Sequence, residues 1–283
     1  MGKFSRIVKA KFQKFRWWRI SRWWNSKSAT IFSDKTHSKY SIGLVTYVNR
    51  YDLHFKPLIN QLTYLFSDTE INVAVNGYYD ADIQEKYLED IIAFTDKFPH
   101  VNLIKYKEGQ SLSKLWNELV IHSSSPRTFI FNDDIKLAKG FRTQVESSGV
   151  LKEKVAIINA SWSHFVITKD AVDEFGWFDE RFPGVGYEDH DYEIRLQLKG
   201  FQVKSYSVKD LFNISYITTD FSWGANEKTI FNKYSGVNGD HYFAKWEFSD
   251  LEKDGYTFVR IVQGYAKLKP DMETPNFYPE IKS

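Results

Sequence analysis

From residue 40 onward the chain alternates short runs of β-branched and aromatic residues with longer stretches in which apolar residues recur every three or four positions. The short runs lie at 41–48, 71–75, 101–104 and 127–131, and the longer stretches at 53–66, 82–98 and 111–122. Strands joined by crossover helices build a mostly parallel sheet. The sequence therefore predicts an α/β fold whose first half is Rossmann-like and of nucleotide-binding type.

The second half of the body is less regular. A strand-like run at 155–161 and a helical pattern at 188–199 precede a Pro-containing segment after residue 268. We expect the α/β domain to occupy residues 39–268 and an irregular tail to occupy residues 269–283. The chain has 283 residues, 42% of them hydrophobic and 26% charged, which is enough for a sizeable core and excludes a disordered or fibrous protein.

Cysteine is absent from the chain. Neither a disulfide nor a thiolate metal site can form, and a reducing compartment, the cytoplasm, is favoured. No apolar run approaches the roughly 20 residues that span a bilayer, and basic side chains interrupt each apolar stretch of the first 33 residues. The sequence thus predicts neither a transmembrane helix nor a signal peptide.

The net charge of +2 conceals a basic arm at residues 1–33, which contains nine Lys or Arg and no acid. The remaining residues carry 29 bases against 36 acids, a balance of −7. Apolar residues of the arm recur at helical spacing, at Phe4, Ile7, Val8, Phe12, Phe15 and Trp18. Four of the nine Trp also lie here, at Trp17, Trp18, Trp23 and Trp24.

An amphipathic basic helix rich in Trp is typical of an interfacial membrane anchor. We therefore expect residues 1–38 to form a membrane-associating arm and linker that binds an anionic surface through residues 1–33. The protein would then be peripheral on the inner face of the cell membrane. The residues leave open a helix packed on the body, an arm that binds a partner or an arm that binds nucleic acid. Of the partners, we expect the membrane surface and no nucleic acid.

The apolar run at 127–131 ends in Asn132, Asp133 and Asp134. Hard oxygen ligands suit Mg²⁺ or Mn²⁺, and such ions keep several waters and bridge substrate phosphates. A diphosphate partner is therefore plausible at this acidic turn, although Asn and Asp also favour solvated turns for backbone reasons.

A second acidic cluster, Glu188, Asp189 and Asp191, opens the predicted helix at 188–199. Acids in a first turn also cap helices, and Asp191 can pair with Arg195 one turn later. The preceding segment 183–186 contains two Gly and one Pro, which allow close backbone approach. Flat side chains on which a sugar ring can lie flank it, at Trp177, Phe178 and Tyr187.

Residues 40–250 resemble the GT-A glycosyltransferases, particularly the inverting bacterial family 2 enzymes. The resemblance rests on the opening strand 41–47, the segment 108–117, the acidic turn, and the motifs at 176–182 and 186–191. It implies a GT-A fold, a Rossmann-like half plus an acceptor-binding half, and sugar transfer from a nucleoside diphosphate sugar with inversion. Asn132 stands where the family's D-x-D pattern has its first aspartate.

The resemblance also implies residue roles. Asp189 would be the catalytic base, and Asp134 would hold Mn²⁺ or Mg²⁺ with His241 completing its shell. Donor-binding candidates are Thr46, Tyr47, Asn49, Arg50, Asn76, Lys114, Asn132 and Asp133. Acceptor-binding candidates are Glu188, Asp191, Trp162, Trp177, Phe178 and Tyr187, and His164 also faces this side in our interpretation.

Two other classes of function compete with the transferase. A sugar-nucleotide pyrophosphorylase needs a Gly-rich first turn for a triphosphate, and segment 47–52 contains no Gly. A sugar-nucleotide-binding or carbohydrate-binding module without catalysis is suggested by Asn132, whereas Asp134 and Asp189 favour an enzyme. We expect a glycan acceptor, lipid-linked because the arm would hold the enzyme on the same membrane, in bacterial surface polysaccharide synthesis.

Overall fold

The computed structural model describes residues 22, 24, 39–214, 236–248, 251–253, 259–261, 266–269 and 272–281. Its strands are β1 (Ser41–Thr46), β2 (Ile71–Val75), β3 (Val101–Lys105), β4 (Arg127–Asn132), β5 (Ile135–Leu137), β6 (Val155–Ile158), β7 (Ser161–Thr168), β8 (Lys204–Tyr206), β9 (Leu211–Asn213), β10 (Trp246–Phe248), β11 (Leu251–Lys253), β12 (Val259–Ile261) and β13 (Ala266–Leu268). Its helices are α1 (Lys56–Leu65), α2 (Ala81–Thr95), α3 (Leu112–Ile121), α4 (Phe141–Ser147), α5 (Lys169–Phe175), α6 (Glu188–Leu198) and α7, described over residues 236–245.

Seven strands form the central sheet in the order β3-β2-β1-β4-β7-β6-β8. The first four are parallel, β7 is antiparallel to both of its neighbours, and β6 and β8 are parallel. The parallel strands are connected through α1, α2 and α3, as crossover geometry requires. This mixed, mostly parallel sheet between helices confirms the predicted α/β fold class.

Apolar residues of the central strands alternate between the two faces of the sheet. Phe129 and Phe131 of β4 join the core formed with α1, α2 and α4, whereas Ile130 joins the core formed with α3, α5 and α6. Asp80, Ser111 and Thr168 cap α2, α3 and α5 by accepting a hydrogen bond from a backbone N–H in the first turn. The sheet is thus covered on both faces, and its carboxyl edge is left for the site.

The chain after β1 forms two unusual turns. A 3₁₀ turn at Val48–Arg50 leads into a π-helical turn at Tyr51–Phe55, which continues into α1. The strand predicted at 41–48 therefore ends at Thr46, since the next residues already turn. Single π-helical turns within helices are frequent at functional sites.

Beyond the central sheet, β5 pairs with β9 just after the acidic turn. Residues 272–281 have no regular secondary structure, but Phe277, Tyr278 and Ile281 pack against the core of α3, α5 and α6. No helix in the described part of the chain is long and apolar enough to cross a bilayer.

The predicted arm helix lies outside the described residues, apart from Arg22 and Trp24, which are helical. The indole N–H of Trp24 donates a hydrogen bond of 2.7 Å to the carbonyl of Leu137. Its ring meets that of Tyr64 edge-on, with the centroids 5.4 Å apart. Trp24 of the basic arm is therefore docked on the body beside β5.

Candidate functional site

The acidic turn after β4 is built around Asp133, which is almost fully buried. Its Oδ2 accepts a hydrogen bond of 2.8 Å from the Thr46 hydroxyl at the end of β1. Its Oδ1 accepts one of 2.7 Å from Nη1 of Arg50, which the turn after β1 brings to this place. Arg50 also contacts Tyr47 through its Nε, 3.3 Å from the phenol oxygen.

Burial and charge act in opposite directions on this pair. Burial raises the pKa of Asp133, and the charge of Arg50 opposes that shift. Burial likewise disfavours the charged form of Arg50, but the Asp133 carboxylate raises the pKa of the guanidinium above its ordinary value. Arg50 therefore stays charged, and the carboxylate of Asp133 is engaged in the ion pair with its guanidinium.

Asp134 has a different environment. Its Oδ1 is buried and has no hydrogen-bond partner in the described part of the chain, and its Oδ2 lies 3.7 Å from Nη1 of Arg50. An unpartnered buried carboxylate oxygen fits a cation ligand. No group of three or more His, Asp or Glu side chains suited to a metal ion occurs among the described residues. A divalent ion here would therefore have to take most of its ligands from water and the donor phosphates.

Two histidines lie close to this turn. His164 of β7 stands opposite Phe131 of β4, is almost fully buried, and has an Nδ1 without a hydrogen-bond partner among the residues that the structure describes. Burial lowers the pKa of His164 to about 4, and the nearby charge of Asp134 opposes that shift. Burial also lowers the pKa of His54, and the negative charge of Asp133 opposes that shift. His54 lies on the π-helical turn, a feature that the helical pattern of the sequence did not reveal.

The expected metal ligand His241 has other neighbours. Its Nε2 lies 3.8 Å from Oδ2 of Asp179, and its ring meets that of Phe182 edge-on. Burial lowers the pKa of His241, and the charges acting on it are those of Asp179, Arg181 and Lys245. We therefore leave His241 out of the proposed metal shell.

The remaining donor candidates lie at the same edge but are used differently. The side chain of Asn76 accepts hydrogen bonds from the backbone N–H of Gly77 and of Gln110 and donates to the Gln110 carbonyl. An added Cβ at Gly77 would lie 2.2 Å from the backbone of Glu108, so this residue must be Gly. Asn76 therefore shapes the loop, and its polar groups are already engaged.

Three further donor candidates keep some exposed surface. Asn49 is exposed and contacts Tyr78 through a side-chain hydrogen bond. Lys114 is half-buried in the first turn of α3, and Asn132 is half-buried at the end of β4, paired in register with Val45. All three can face a ligand without a change in the core.

The second acidic cluster begins α6, as predicted. Glu188 is buried, and one of its carboxyl oxygens accepts a hydrogen bond from the backbone N–H of Gly186. Burial, together with the charge of Asp189, raises the pKa of Glu188 to about 8. Asp189 is half-buried, and its Oδ1 accepts a bond of 2.9 Å from the N–H of His190. Asp189 is thus the more accessible carboxylate of the two.

Asp191 is fully buried and belongs to an ion-pair network. It accepts hydrogen bonds from Nε of Arg195 at 3.0 Å and from the indole N–H of Trp246 at 2.9 Å, and it lies 2.5 Å from Nζ of Lys245. Lys245 also contacts Asp179 at 2.8 Å. Although burial works against it, Arg181 and Lys245 hold the pKa of Asp179 well below its ordinary range. The i,i+4 pair of Asp191 and Arg195, the structural alternative for Asp191, is therefore present.

Most of the expected sugar-stacking aromatics are core residues. Trp177 is 5% exposed and its ring meets that of Tyr278 from the C-terminal segment, and Phe178 is 1% exposed and stacks on Tyr192. Trp162 is 8% exposed and donates its N–H to Glu193. These three rings therefore offer no open face to a sugar. The sequence did not reveal this, because periodicity cannot distinguish a packed ring from an exposed one.

Tyr187 differs from those rings. It is half-buried, packs against Tyr242 and Phe243, and has a φ of 70°, in the left-handed region. A bulky residue in this region is strained, and such strain is concentrated at functional sites. Tyr187 immediately precedes Glu188 and Asp189, which makes it the aromatic residue of the predicted set best placed to meet an acceptor.

The two acidic clusters lie toward the same edge of the sheet. The N–H of Leu112, the first residue of α3, donates a hydrogen bond of 2.8 Å to the carbonyl of Gly184. Asn117 of α3 donates to the Phe178 carbonyl and accepts from its N–H, both at 3.0 Å. Since Leu112 begins α3 at the carboxyl edge of the parallel strands, its bond to Gly184 holds the turn before α6 at the edge where β4 ends in Asp133 and Asp134, and the bonds of Asn117 attach the preceding segment to α3.

No protein-family model matches the chain, and no curated protein matches it. Similar solved structures include TarS 1–349 of S. aureus, with a TM-score of 0.45 and 12% identity, covering 61% of this chain and 58% of that one. A mannosyltransferase from Pyrobaculum calidifontis, PcManGT, in complex with GDP-Man and Mn²⁺ has a TM-score of 0.44 and 13% identity, covering 71% and 64%. GalNAc-T7 with UDP, GalNAc and Mn²⁺ has a TM-score of 0.44 and 10% identity, covering 73% and 50%. The matches span less than two thirds of each of these chains.

Proposed function

We propose that the chain is an inverting glycosyltransferase that moves a sugar from a nucleoside diphosphate sugar to a hydroxyl group of a glycan. The supporting observation is the presence of two complementary carboxylates on one edge of the sheet. Asp134 has a buried oxygen without a hydrogen-bond partner among the described residues, and Asp189 has a partly exposed carboxylate at the start of α6. The first can serve the leaving phosphates, and the second can accept a proton.

The donor would lie along the carboxyl ends of β1 and β4, where ligands of such sheets bind. Tyr47, Asn49 and Asn132 would line the nucleoside and sugar, with Arg50 and Lys114 facing the phosphates. Thr46 and Asp133 would act through Arg50, which both help to place. Asn76 would contribute by fixing the loop after β2.

Asp134 is the residue that would hold Mn²⁺ or Mg²⁺. Such an ion, when bound, neutralises charge that develops on a leaving nucleoside diphosphate. The chain contributes one carboxylate oxygen, and the nearby charge of Arg50 shares the neutralisation of the phosphates.

Asp189 would act as the general base. Because Glu188, with its pKa of about 8, is mostly protonated at neutral pH, it cannot take the proton of the acceptor. It can instead hold an acceptor hydroxyl, as Tyr187 can hold the sugar ring. Asp191 is fully engaged with Lys245, Arg195 and Trp246, so its role is to fix the first turn of α6.

The chemical step follows from these placements. The acceptor oxygen attacks the anomeric carbon from the face opposite the diphosphate, and its proton passes to Asp189. The bond between the anomeric carbon and the phosphate oxygen breaks, and its electron pair leaves with the nucleoside diphosphate. Attack from the opposite face inverts the anomeric configuration.

The setting of the reaction is also part of the proposal. A basic, Trp-rich arm would hold the protein on the inner face of the cell membrane, where a lipid-linked acceptor would be within reach. The product would then be a bacterial surface polysaccharide.

A screen of nucleotide sugars with Mn²⁺ tests the proposal through release of nucleoside diphosphate. We expect the Asp189→Asn variant to lower turnover by ~10²–10⁴-fold while thermal stabilisation by the same nucleotide sugar persists. Asp52→Asn, a change at an exposed residue, is the matched control. An unchanged rate in Asp189→Asn would move the base elsewhere. Absence of any donor turnover by the unmodified protein would favour the second candidate, a nucleotide-sugar-binding module, which Asn132 suggests.

A further inference from the structure

Lys245, at the end of α7, is fully buried and joins three separate segments of the chain. Its ammonium lies 2.8 Å from Oδ2 of Asp179, 2.5 Å from Oδ1 of Asp191 and 2.7 Å from the hydroxyl oxygen of Thr274. An ammonium has three N–H donors, so these contacts can use all of them. Thr274 belongs to the C-terminal segment, which the sequence predicted only as an irregular tail.

The C-terminal segment 272–281 makes further contacts to the same region. Nη2 of Arg181 donates to the carbonyls of Met272 and Glu273, at 3.2 and 3.1 Å. The hydroxyl of Tyr278 donates to Glu180 at 2.5 Å. The segment is therefore attached to the residues at 180 and 181 as well as to Lys245.

These contacts fix Asp179 and Asp191, which lie on either side of Glu188 and Asp189 in the chain. Asp179 precedes them and is held by Arg181 and Lys245. Asp191 follows Asp189 by two residues and is held by Lys245 from the other side. The left-handed Tyr187 lies between the two fixed residues. A shift of Lys245 would thus move Asp179 and Asp191 together.

Stability alone is a weak reason for such a cluster. Buried ion pairs are often no more stabilising than well-packed apolar residues of similar size, since removing the charges from water costs several kcal/mol. What the cluster does supply is directional contacts, which fix Asp179 and Asp191 relative to each other and to Thr274.

We propose that Lys245 and Thr274 are positioning residues, through which the C-terminal segment fixes the Tyr187–Asp189 turn and so aligns Asp189 with the acceptor hydroxyl. The alignment with an acceptor rests on the proposed glycosyl transfer. The mechanical coupling of the C-terminal segment to the turn does not.

The test uses Thr274→Val, which keeps the shape of the side chain and removes the oxygen that Lys245 contacts, with Thr274→Ser as the matched control. Hydrogen–deuterium exchange of the free, full-length protein measures the coupling. We expect Thr274→Val to raise exchange in residues 185–191 by ~10-fold, without a change in β1 to β4, and Thr274→Ser to behave as the unmodified protein. Equal exchange of residues 185–191 in both variants overturns the proposal.

The second measurement compares sugar transfer with hydrolysis of the donor that the nucleotide-sugar screen identifies. Misalignment of the base and acceptor should lower kcat for transfer by ~10-fold in Thr274→Val while KM for the donor stays within ~2-fold. A general loss of folded protein would instead lower transfer and hydrolysis alike, and that result overturns the positioning role. If no nucleotide sugar is turned over by any form while exchange still rises in Thr274→Val, the coupling stands and the transferase proposal fails.

Discussion

Nη1 of Arg50 lies 2.7 Å from Oδ1 of Asp133, a carboxylate that is 1% exposed. The pair joins the turn after β1 to the turn after β4, and it puts a permanent cation beside Asp134. A buried carboxylate cannot stay ionised without such a partner. The acidic turn is therefore organised by Arg50 before any donor or cation arrives.

Replacing Arg50 by Met should leave Asp133 buried without its charged partner. Breaking a buried pair from one side typically costs about 3–5 kcal/mol, which we expect to see as a lower free energy of unfolding in urea. Lys56→Met is the matched control, because its partner Asp52 is exposed and the loss should be much smaller. Equal losses in the two variants would show that the Arg50 pair has no special weight.

The parallel half of the fold followed well from the sequence. The bounds of β2 were predicted as 71–75, and the structure has Ile71–Val75, because four of its five residues are apolar, as expected of a strand that is buried on both faces. The strand predicted at 155–161 begins at the predicted residue but ends at Ile158, three residues earlier than predicted. Asn159 and Ala160 adopt left-handed conformations and turn the chain from β6 into β7. A turn with Asn-Ala lacks the Gly that normally signals such a hairpin.

The carboxylates of the candidate site could be predicted from the sequence. The contacts made by the residues around them could be predicted less well. A carboxylate at the end of an apolar strand is visible in one local stretch, as with Asp134. The use of Asn76 in a loop and the covering of Trp177 by Tyr278 depend on contacts between distant segments. The burial of Lys245 is of the same kind, since no local pattern marks a lysine whose partners lie 66 and 54 residues earlier.

Asp134→Asn should remove the effect of Mn²⁺ on nucleotide binding. We expect the nucleoside diphosphate of the donor that the nucleotide-sugar screen identifies to raise Tm further when Mn²⁺ is present, because a ligand bound only to the folded state stabilises it. In Asp134→Asn the additional Mn²⁺-dependent rise should disappear, whereas in Asn132→Asp it should grow. A Mn²⁺-dependent rise that survives Asp134→Asn would place the cation on other residues.

Glu188 should make stability fall as pH rises. Its pKa is raised from an ordinary value of 4.5 to about 8 by burial and by Asp189, so folding favours the protonated form. This contribution is complete below about pH 4.5, declines by up to about 1.4 kcal/mol per pH unit as the unfolded carboxyl ionises, and is lost once the pH exceeds about 8.

Glu188→Gln keeps the shape and cannot ionise, so its free energy of unfolding should fall less between pH 5.5 and pH 8.5 than that of the unmodified protein. Urea unfolding at both values measures the difference, which we expect to reach a few kcal/mol. Other titrating groups are common to the two proteins and cancel. Parallel pH profiles would show that Glu188 is ionised in the folded state.

The role of the bases in the arm and the role of the docked Trp24 can be tested separately with two variants. Eight of the nine bases of residues 1–33 lie before Trp24, whose indole is bonded to Leu137. Deleting residues 1–20 removes seven of them and leaves Trp24, so flotation with anionic vesicles should be lost while Tm stays close to that of the full chain.

Trp24→Phe keeps the bases and replaces the indole, with its N–H, by a phenyl ring, so flotation should persist while the free energy of unfolding falls by about 1 kcal/mol. Neutral vesicles serve as the control, because the attraction depends on lipid charge and weakens with added salt. Flotation that survives the deletion would mean that residues 1–20 do not hold the protein on the membrane, and their bases would then need another partner.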